Sequence, residues 1–227
     1  MSNEPRNHGK LWKRHEKRNL IRLFNEGVAL KDLAQQFERT ENAVQRMINI
    51  IEIEQIIKRR EIKHLVHFTN IQNLDSIKKY GILNVNYLRH KTNIDFDYND
   101  SKRLDNMLGH ISTSISSINQ FLFKKFKSRY EKKKYIVIEI DPSIMANGEA
   151  SFFEYNAAHH ALRPKNPEDW IERRKSKYLE GMFAENVMGY SRNEKQEKWE
   201  PTRVQAEVML KEIPRSKIVS WKEIDDN

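Results

Sequence analysis

Hydrophobic residues recur at helical spacing throughout the first sixty residues of the chain. Three groups of them follow one another, separated by Gly27 and by the Glu38–Arg39 pair. Their apolar members are Leu20, Ile21, Leu23 and Phe24, then Leu30, Leu33, Ala34 and Phe37, and then Ala43, Val44, Met47, Ile48 and Ile51. This spacing predicts three amphipathic helices, with Thr40 as the N-cap of the third.

A mixed pattern replaces the helical one from about residue 64. Short apolar or alternating runs predict strands at residues 64–69, 109–116, 135–140, 203–210 and 218–221. Helices are predicted at residues 70–80, ended by Gly81, and between the strands at 109–116 and 135–140. Residues 89–106 are predicted to form a loop, and residues 164–202 a long helical or irregular stretch. The pattern indicates an α+β chain with a small all-α domain at residues 1–60 and a larger domain at residues 61–227.

The predicted helical domain matches the helix-turn-helix pattern, in which a short middle helix precedes a recognition helix. Its third helix would present polar side chains outward, including those of Gln45 and Arg46. Amide and guanidinium groups suit base edges, so both residues are predicted to bind nucleic acid. The alternative is a three-helix module that docks on another protein and makes no contact with DNA.

The amino-acid composition limits the kinds of partner and site that the chain could have. The formal net charge is +9, and the surplus of Lys and Arg is densest in the first sixty-three residues, which favours a nucleic-acid partner. Cysteine is absent, which excludes disulfides, thiol nucleophiles and zinc fingers and indicates a cytoplasmic protein. No apolar run approaches the length of a membrane span, so no membrane partner is expected. No metal site is expected either, because His159 and His160 are adjacent and would point about 100° apart on a helix.

Four segments that occur in order carry more specific information. They are HFTNIQNLDSIKKYGIL (67–83), YNDSKRLDNMLGHISTSIS (98–116), SFFEYNAA (151–158) and QAEVML (205–210). Together they resemble the DarT family of nucleic-acid base ADP-ribosyltransferase toxins. The resemblance extends from residue 64 to the end of the chain. It implies an ADP-ribosyltransferase-type split β-core that holds NAD as co-substrate, preceded here by the added helical segment.

The resemblance also assigns roles to individual residues. His67 and Thr69 match positions at the nicotinamide end of NAD, and Asn73 matches a further NAD contact. Arg103 matches a catalytic arginine in the NAD cleft, and Glu207 matches the catalytic glutamate. Asn156 matches the N-A-A element, and we assign it to nucleic-acid contact.

The implied function is a toxin that moves ADP-ribose from NAD to a base of single-stranded nucleic acid. DNA is the favoured target and RNA the alternative, in a toxin–antitoxin or phage-defence system with a cognate antitoxin as partner. A carboxylate such as Glu207 can stabilise the oxocarbenium-like state of NAD cleavage or accept a proton from the attacking base. The competing hypotheses are an NAD- or nucleotide-sensing DNA-binding regulator without catalysis, and a protein-directed ADP-ribosyltransferase.

Aromatic residues are interleaved with cations just before the predicted Glu207 strand. They are Trp170, Tyr178, Phe183, Tyr190 and Trp199. Such a pattern suits stacking on unpaired bases. The alternative is that the rings pack inward beneath a mobile lid.

Overall fold

The structure, a computed structural model, describes residues 5–91, 93–98, 107–130 and 133–224. The helices in these ranges are α1 (Arg14–Asn25), α2 (Leu30–Gln36), α3 (Glu41–Arg60), α4 (Leu74–Tyr80), α5 (Val85–Lys91), α6 (Gln120–Arg129), α7 (Pro167–Glu172) and α8 (Ser176–Gly181). The strands are β1 (Leu65–Asn70), β2 (Ile82–Leu83), β3 (Ile111–Ile115), β4 (Tyr135–Ile140), β5 (Ser151–Phe153), β6 (Asn186–Val187), β7 (Tyr190–Ser191), β8 (Glu207–Leu210), β9 (Glu212–Ile213) and β10 (Ile218–Glu223). Helices therefore precede an antiparallel sheet, which confirms the predicted α+β class.

The first compact unit, residues 1–55, contains α1, α2 and the first part of α3. The apolar positions of the three helices meet in one buried core, which consists of Leu20, Leu33, Ala34, Phe37, Val44, Ile48 and Ile51. The hydroxyl of Thr40 accepts a hydrogen bond from the Ala43 N–H at 3.2 Å, as expected of an N-cap. The chain divides between Gln55 and Ile56, inside α3. The assignment of separate domains to residues 1–60 and 61–227 stays a prediction.

A buried arginine ties the start of the chain to the turn between α2 and α3. The guanidinium of Arg39 donates to the backbone carbonyls of Asn7 and Lys10, at 3.1 and 2.6 Å. It also lies 4.1 Å from the centroid of the Trp12 ring, where the cation meets the π face. Only 6% of Arg39 is exposed, so this positive charge holds the first unit together and is not part of its basic surface.

Six strands of the second unit, residues 56–227, form a sheet in the order β10-β4-β1-β3-β8-β5. β1 pairs with β4 along its whole length. It pairs with β3 only through Leu65 and Val66, which lie opposite Ile115 and Ser114. Beyond these two pairs the strands separate. The sheet is thus split between β1 and β3, as expected of an ADP-ribosyltransferase-type β-core.

An aromatic cluster packs α6 against the β1–β4 side of the split. Phe123 and Phe126 of α6 are buried beside Tyr135 of β4 and half-buried Phe68 of β1. The ring of Phe68 lies edge-on to that of Phe123, with centroids 5.4 Å apart, an arrangement that aromatic pairs favour. The side chain of Asn119 caps the helix by accepting from the Leu122 N–H at 3.1 Å. The predicted helix between the two strands is therefore confirmed, with its apolar face against the sheet.

The segment after β1 turns back immediately because Asn70 caps it. Its side-chain oxygen accepts from the Gln72 N–H at 2.9 Å and begins a 3-10 turn that leads into α4. α4 ends at Gly81, as predicted, with φ at 82°. A Cβ at this position would lie 2.3 Å from the Ile213 carbonyl oxygen, so only glycine allows α4 to end against the segment that contains β9.

Three details differ from the predicted elements. Residues 89–91 belong to α5, whereas a loop was predicted there, and the rest of residues 89–106 lies partly outside the described ranges. β8 begins at Glu207 and not at Arg203, because a turn closed by the Ala206 N–H and the Arg203 carbonyl precedes it. β5 was not predicted, since a strand of three residues has too few positions to show a period.

Among the helices of the described ranges, none combines the length and apolar character that crossing a bilayer requires.

Candidate active site

The separation of β1 from β3 opens a cleft within the second unit. Its walls include β1, β3, the start of β8, the loop after β5 and the segment 93–98. The lining side chains considered below are His67, Thr69, Asn73, Asp97, His110, Ser112, Asn156 and Glu207. The fold therefore brings together five of the residues that the sequence singled out, although up to 140 positions separate them along the chain.

The carboxylate of Glu207 lies at the centre of this arrangement. Glu207 is the first residue of β8 and is 6% exposed. Its Oε1 accepts a hydrogen bond from the Ser112 hydroxyl at 2.8 Å, and its Oε2 accepts from the Ala157 backbone N–H at 2.7 Å. Since a donor engages each oxygen, the carboxylate has a defined orientation before any substrate binds.

The N-A-A segment forms the loop that holds this carboxylate. The side-chain oxygen of Asn156 accepts from the Ala158 N–H at 2.9 Å, which fixes a turn of the kind that Asn favours. The turn directs the Ala157 N–H toward Glu207. The amide nitrogen of Asn156 lies 3.5 Å from Oε1 of the same carboxylate. Asn156 therefore shapes the loop that holds the glutamate, and its assignment to nucleic-acid contact stays a prediction.

A histidine bridges the split between the two strands. Nδ1 of His67 on β1 lies 2.9 Å from the backbone carbonyl oxygen of Ser112 on β3. Because a carbonyl can only accept, the ring donates through Nδ1, and in the neutral ring Nε2 is then an acceptor. His67 and Glu207 thus both contact Ser112, one through its carbonyl and one through its hydroxyl.

A second network holds the segment 93–98 against β1. Nδ2 of Asn73 donates to the Thr69 hydroxyl at 2.9 Å and to the Asp97 carbonyl at 2.6 Å. Oδ1 of Asn73 accepts from the Asp97 N–H at 2.9 Å. The Asp97 carboxylate accepts from Asn70 at 2.9 Å and from the Lys133 ammonium at 2.7 Å. We call this set of residues, 69, 70, 73, 97 and 133, the Asp97 clasp.

The Asp97 clasp gives Asn73 a structural role in the cleft wall. Both ends of its amide serve the protein itself, so Asn73 builds the wall of the cleft that includes Ile94, Phe96 and Tyr98. The negative charge of Asp97 is also felt on the neighbouring strand. Burial raises the pKa of the Tyr135 hydroxyl, and the Asp97 carboxylate adds to the rise.

An aromatic pair lies beside the Glu207 end of the cleft. The ring of His110 stacks on Trp170, with centroids 5.1 Å apart and planes 23° apart. Trp170 in turn lies edge-on to the buried Phe153, at 5.2 Å. His110 is half-buried and also lines the cleft, so this aromatic pair forms part of the cleft wall.

Three predicted site residues and the adjacent histidines remain. Arg103 lies outside the described residues. Gln45 and Arg46 are exposed on α3 in the first unit. His159 and His160 lie in a turn and not on a helix, so their rings come within 4.3 Å of each other.

Sequence reasoning missed several residues that shape the cleft. Ser112 was within the S-x-S-I-S segment, but nothing in the pattern indicated which of its hydroxyls reaches Glu207. Asp97 lies in a run of polar residues that resembles any surface loop. Lys125 and Arg129, one turn apart on α6, also line the cleft.

The arrangement suits chemistry at a glycosidic carbon. An oriented carboxylate can stabilise the positive charge that develops on a ribose as its leaving group departs. The cations of Lys125 and Arg129 suit a diphosphate, and the aromatic side chains of the cleft wall, His110 among them, suit a planar ring. A dinucleotide contains all three of these groups.

Comparison with known proteins agrees with this geometry. Residues 66–220 match the model of the family described as DarT, ssDNA thymidine ADP-ribosyltransferase. A search among curated proteins finds no match. The family match covers more than half of the chain and includes every cleft residue discussed above. The chain therefore belongs to the DarT family and is an NAD-dependent ADP-ribosyltransferase.

Proposed function

We propose that this chain transfers ADP-ribose from NAD to thymine in single-stranded DNA, with Glu207 as the catalytic carboxylate. The single observation that carries the proposal is the Glu207 carboxylate, which Ser112 and Ala157 hold in a cleft of a chain that belongs to this family. Substrate and base identity come from the description of the family, and the buried, oriented carboxylate supports the same chemistry.

The proposed reaction exchanges one glycosidic bond for another. The bond between C1′ of the nicotinamide ribose and the nicotinamide nitrogen breaks, and its electron pair leaves with neutral nicotinamide. The thymine nitrogen that carries a proton, N3, forms the new bond to C1′, because N1 already carries the deoxyribose. The N3 proton passes to the Glu207 carboxylate and from there to water. Charge balances, since cationic NAD loses its positive charge as one proton is released.

Other cleft residues would position NAD for this reaction. We assign His67 and Thr69 to the nicotinamide end, as the resemblance implies, and Arg103 to the ribose–diphosphate or to the orientation of Glu207. A guanidinium suits either task because its planar donors match carboxylate and phosphate oxygens. Asn73 would act indirectly, by holding segment 93–98 as a wall of the NAD cleft. Positioning of this kind supplies a large part of the rate in group transfer.

We further propose that the activity makes the chain a toxin, countered by a cognate antitoxin in a toxin–antitoxin or phage-defence system. An ADP-ribosyl group on N3 occupies the Watson–Crick edge of thymine, so a modified template cannot pair with adenine. Single-stranded DNA and NAD are both present in the cytoplasm, where we place the reaction.

The test is a set of matched oligonucleotides incubated with NAD, with the products measured by mass spectrometry and nicotinamide release measured in parallel. We expect one ADP-ribosyl group on a single-stranded DNA that contains one thymine. We expect none when that thymine is replaced by cytosine or carries an N3 methyl group. Equal modification of the thymine-free strand, or of the matching RNA in preference to DNA, would overturn the assignment of thymidine as the target.

A further inference from the structure

A short hairpin precedes the Glu207 strand. Val187 of β6 pairs with Tyr190 of β7, and only Met188 and Gly189 connect them. Both connecting residues have positive φ, 51° and 79°, which is the geometry of the two-residue turn that best matches the twist of paired strands. The hairpin presents Met188 and Tyr190 to solvent, with 42% and 59% of each exposed.

The exposed tyrosine at this hairpin lies on a buried cation. The guanidinium carbon of Arg203 is 3.2 Å from the centroid of the Tyr190 ring and 4.6 Å from that of Tyr155. Arg203 is 8% exposed, and its Nη2 donates to the side-chain oxygen of Gln205 at 2.8 Å. Within the described ranges, Arg203 forms no salt bridge. We call the three side chains Tyr155, Arg203 and Tyr190 the cation stack.

Two short stretches of chain connect the cation stack to the Glu207 site. Tyr155 directly precedes Asn156, whose loop holds Glu207 through the Ala157 N–H. Arg203 lies four residues before Glu207, across the turn that starts β8. A strand of DNA with one base at Glu207 would therefore place a neighbouring base within reach of the stack.

The five aromatic residues that precede β8 differ in how exposed their rings are to solvent. Phe183 is buried beneath the Arg60 guanidinium, and Trp170 packs on Phe153. Tyr178 and Trp199 are half-buried. Among these five rings, Tyr190 is the exposed one, which separates the two interpretations left open by the sequence. Phe183 packs inward, three rings are half-buried, and Tyr190 is the ring most available for stacking.

We propose that the cation stack binds an unpaired DNA base next to the base that is modified, with the exposed Tyr190 ring as the stacking face. Every base has a π face, so this contact tolerates many sequences. The Arg203 charge, which no carboxylate of the described residues neutralises, favours a polyanion over a neutral peptide. The proposal rests on the proposed function, because it needs single-stranded DNA as the substrate.

The experiment compares the full-length protein with its Tyr190→Ala and Tyr190→Phe variants. Binding of a labelled single-stranded thymidine oligonucleotide is followed by fluorescence anisotropy, and KM is measured separately for the oligonucleotide and for NAD. The loss of one base–aromatic stack should weaken DNA binding and raise KM for DNA by about 5- to 150-fold, while KM for NAD stays within twofold. Tyr190→Phe keeps the ring and should behave like the wild type.

Trp221→Ala is the matched control, because Trp221 is also an exposed aromatic with two cations near its ring, Lys78 and Arg215. It lies on β10, at the other edge of the sheet from β5. Equal DNA affinity in Tyr190→Ala and wild type would overturn the proposal, as would an equal loss in Trp221→Ala or a rise of KM for NAD in Tyr190→Ala. A wild type that neither binds nor modifies single-stranded DNA would instead overturn the proposed function.

Discussion

The backbone N–H of Ala157 donates to Oε2 of Glu207 at 2.7 Å, across fifty positions of the chain. A backbone donor cannot rotate away as a side chain can, so this contact fixes the carboxylate to the loop after β5. Oε1 is held from the other side by Ser112 on β3. Two segments therefore position the catalytic group of the proposed reaction. One is β3, which pairs with β8, and the other is the loop that follows β5, a strand that also pairs with β8.

The amide of Asn156, 3.5 Å from the Glu207 carboxylate, predicts a shift in the pH dependence of the reaction. Asn156→Asp places a second negative charge beside the first, so the pair retains a proton to higher pH. If the reaction requires ionised Glu207, the rising limb of the plot of kcat against pH should shift to higher pH by about one pH unit or more. Asn156→Ala removes the amide without adding charge. It should lower kcat, and the rising limb should stay at the same pH. A profile for Asn156→Asp that coincides with that of Asn156→Ala would contradict an ionised Glu207 as the reactive form.

Loss of the Asp97 clasp is predicted to weaken NAD binding more than it slows the chemical step. Asp97→Ala removes the partner of Lys133 and Asn70, and the segment 93–98 should lose its fixed place beside Asn73. Because hydrogen bonds to charged groups contribute about 1.5–3 kcal/mol, KM for NAD should rise by tenfold or more while kcat changes less. Asp97→Asn keeps the shape and some of the bonds, and it should give an intermediate KM. An unchanged KM for NAD in Asp97→Ala would show that this wall of the cleft does not contact the substrate.

The first unit is predicted to add affinity for nucleic acid through α3. Arg46 and Gln45 are exposed there, and we propose that both contact nucleic acid, Gln45 at a base edge and Arg46 with a positive charge that suits a phosphate as well as a base edge. Arg46→Ala should then reduce the slope of log affinity against log salt by about 0.7 on a single strand. Gln45→Ala should weaken binding and leave the slope unchanged. If the Arg46→Ala slope equals that of the wild type, the alternative of a protein-docking module is favoured.

Local features of the fold could be predicted where a pattern repeats within one element. The period of the apolar residues identified α1 to α3, and the alternation that places Ile136, Ile138 and Ile140 on one face identified β4 to the residue. Gly81 ends α4 as predicted because its backbone conformation and its approach to Ile213 both exclude a side chain. β5 was missed, and β8 was predicted four residues too long, since a turn at residues 203–206 cannot be distinguished from a strand by alternation alone.

The partners of the site residues could not be predicted in the same way. Ser112 and Glu207 are ninety-five positions apart, and they meet only because of the register between β3 and β8. A shift of one residue in that register would turn the Ser112 side chain to the other face of the sheet. The contact of Asn73 with NAD stays a prediction from its motif, whereas the hydrogen bonds of its amide to Thr69 and Asp97 became known only from the structure. Motifs thus indicated candidate residues, and tertiary pairing decides what each side chain touches.

The most direct test of the account is the initial rate of ADP-ribosyl transfer to a single-thymine oligonucleotide by Glu207→Gln. The exchange keeps the shape of the side chain and removes its charge and basicity. General acid–base catalysis contributes roughly 10²–10⁴-fold, so the rate should fall by about that factor while the melting temperature changes little. Glu212→Gln, at an exposed glutamate on β9, is the matched control and should retain the full rate. A Glu207→Gln rate within tenfold of the wild type would contradict the assignment of Glu207 as the catalytic carboxylate.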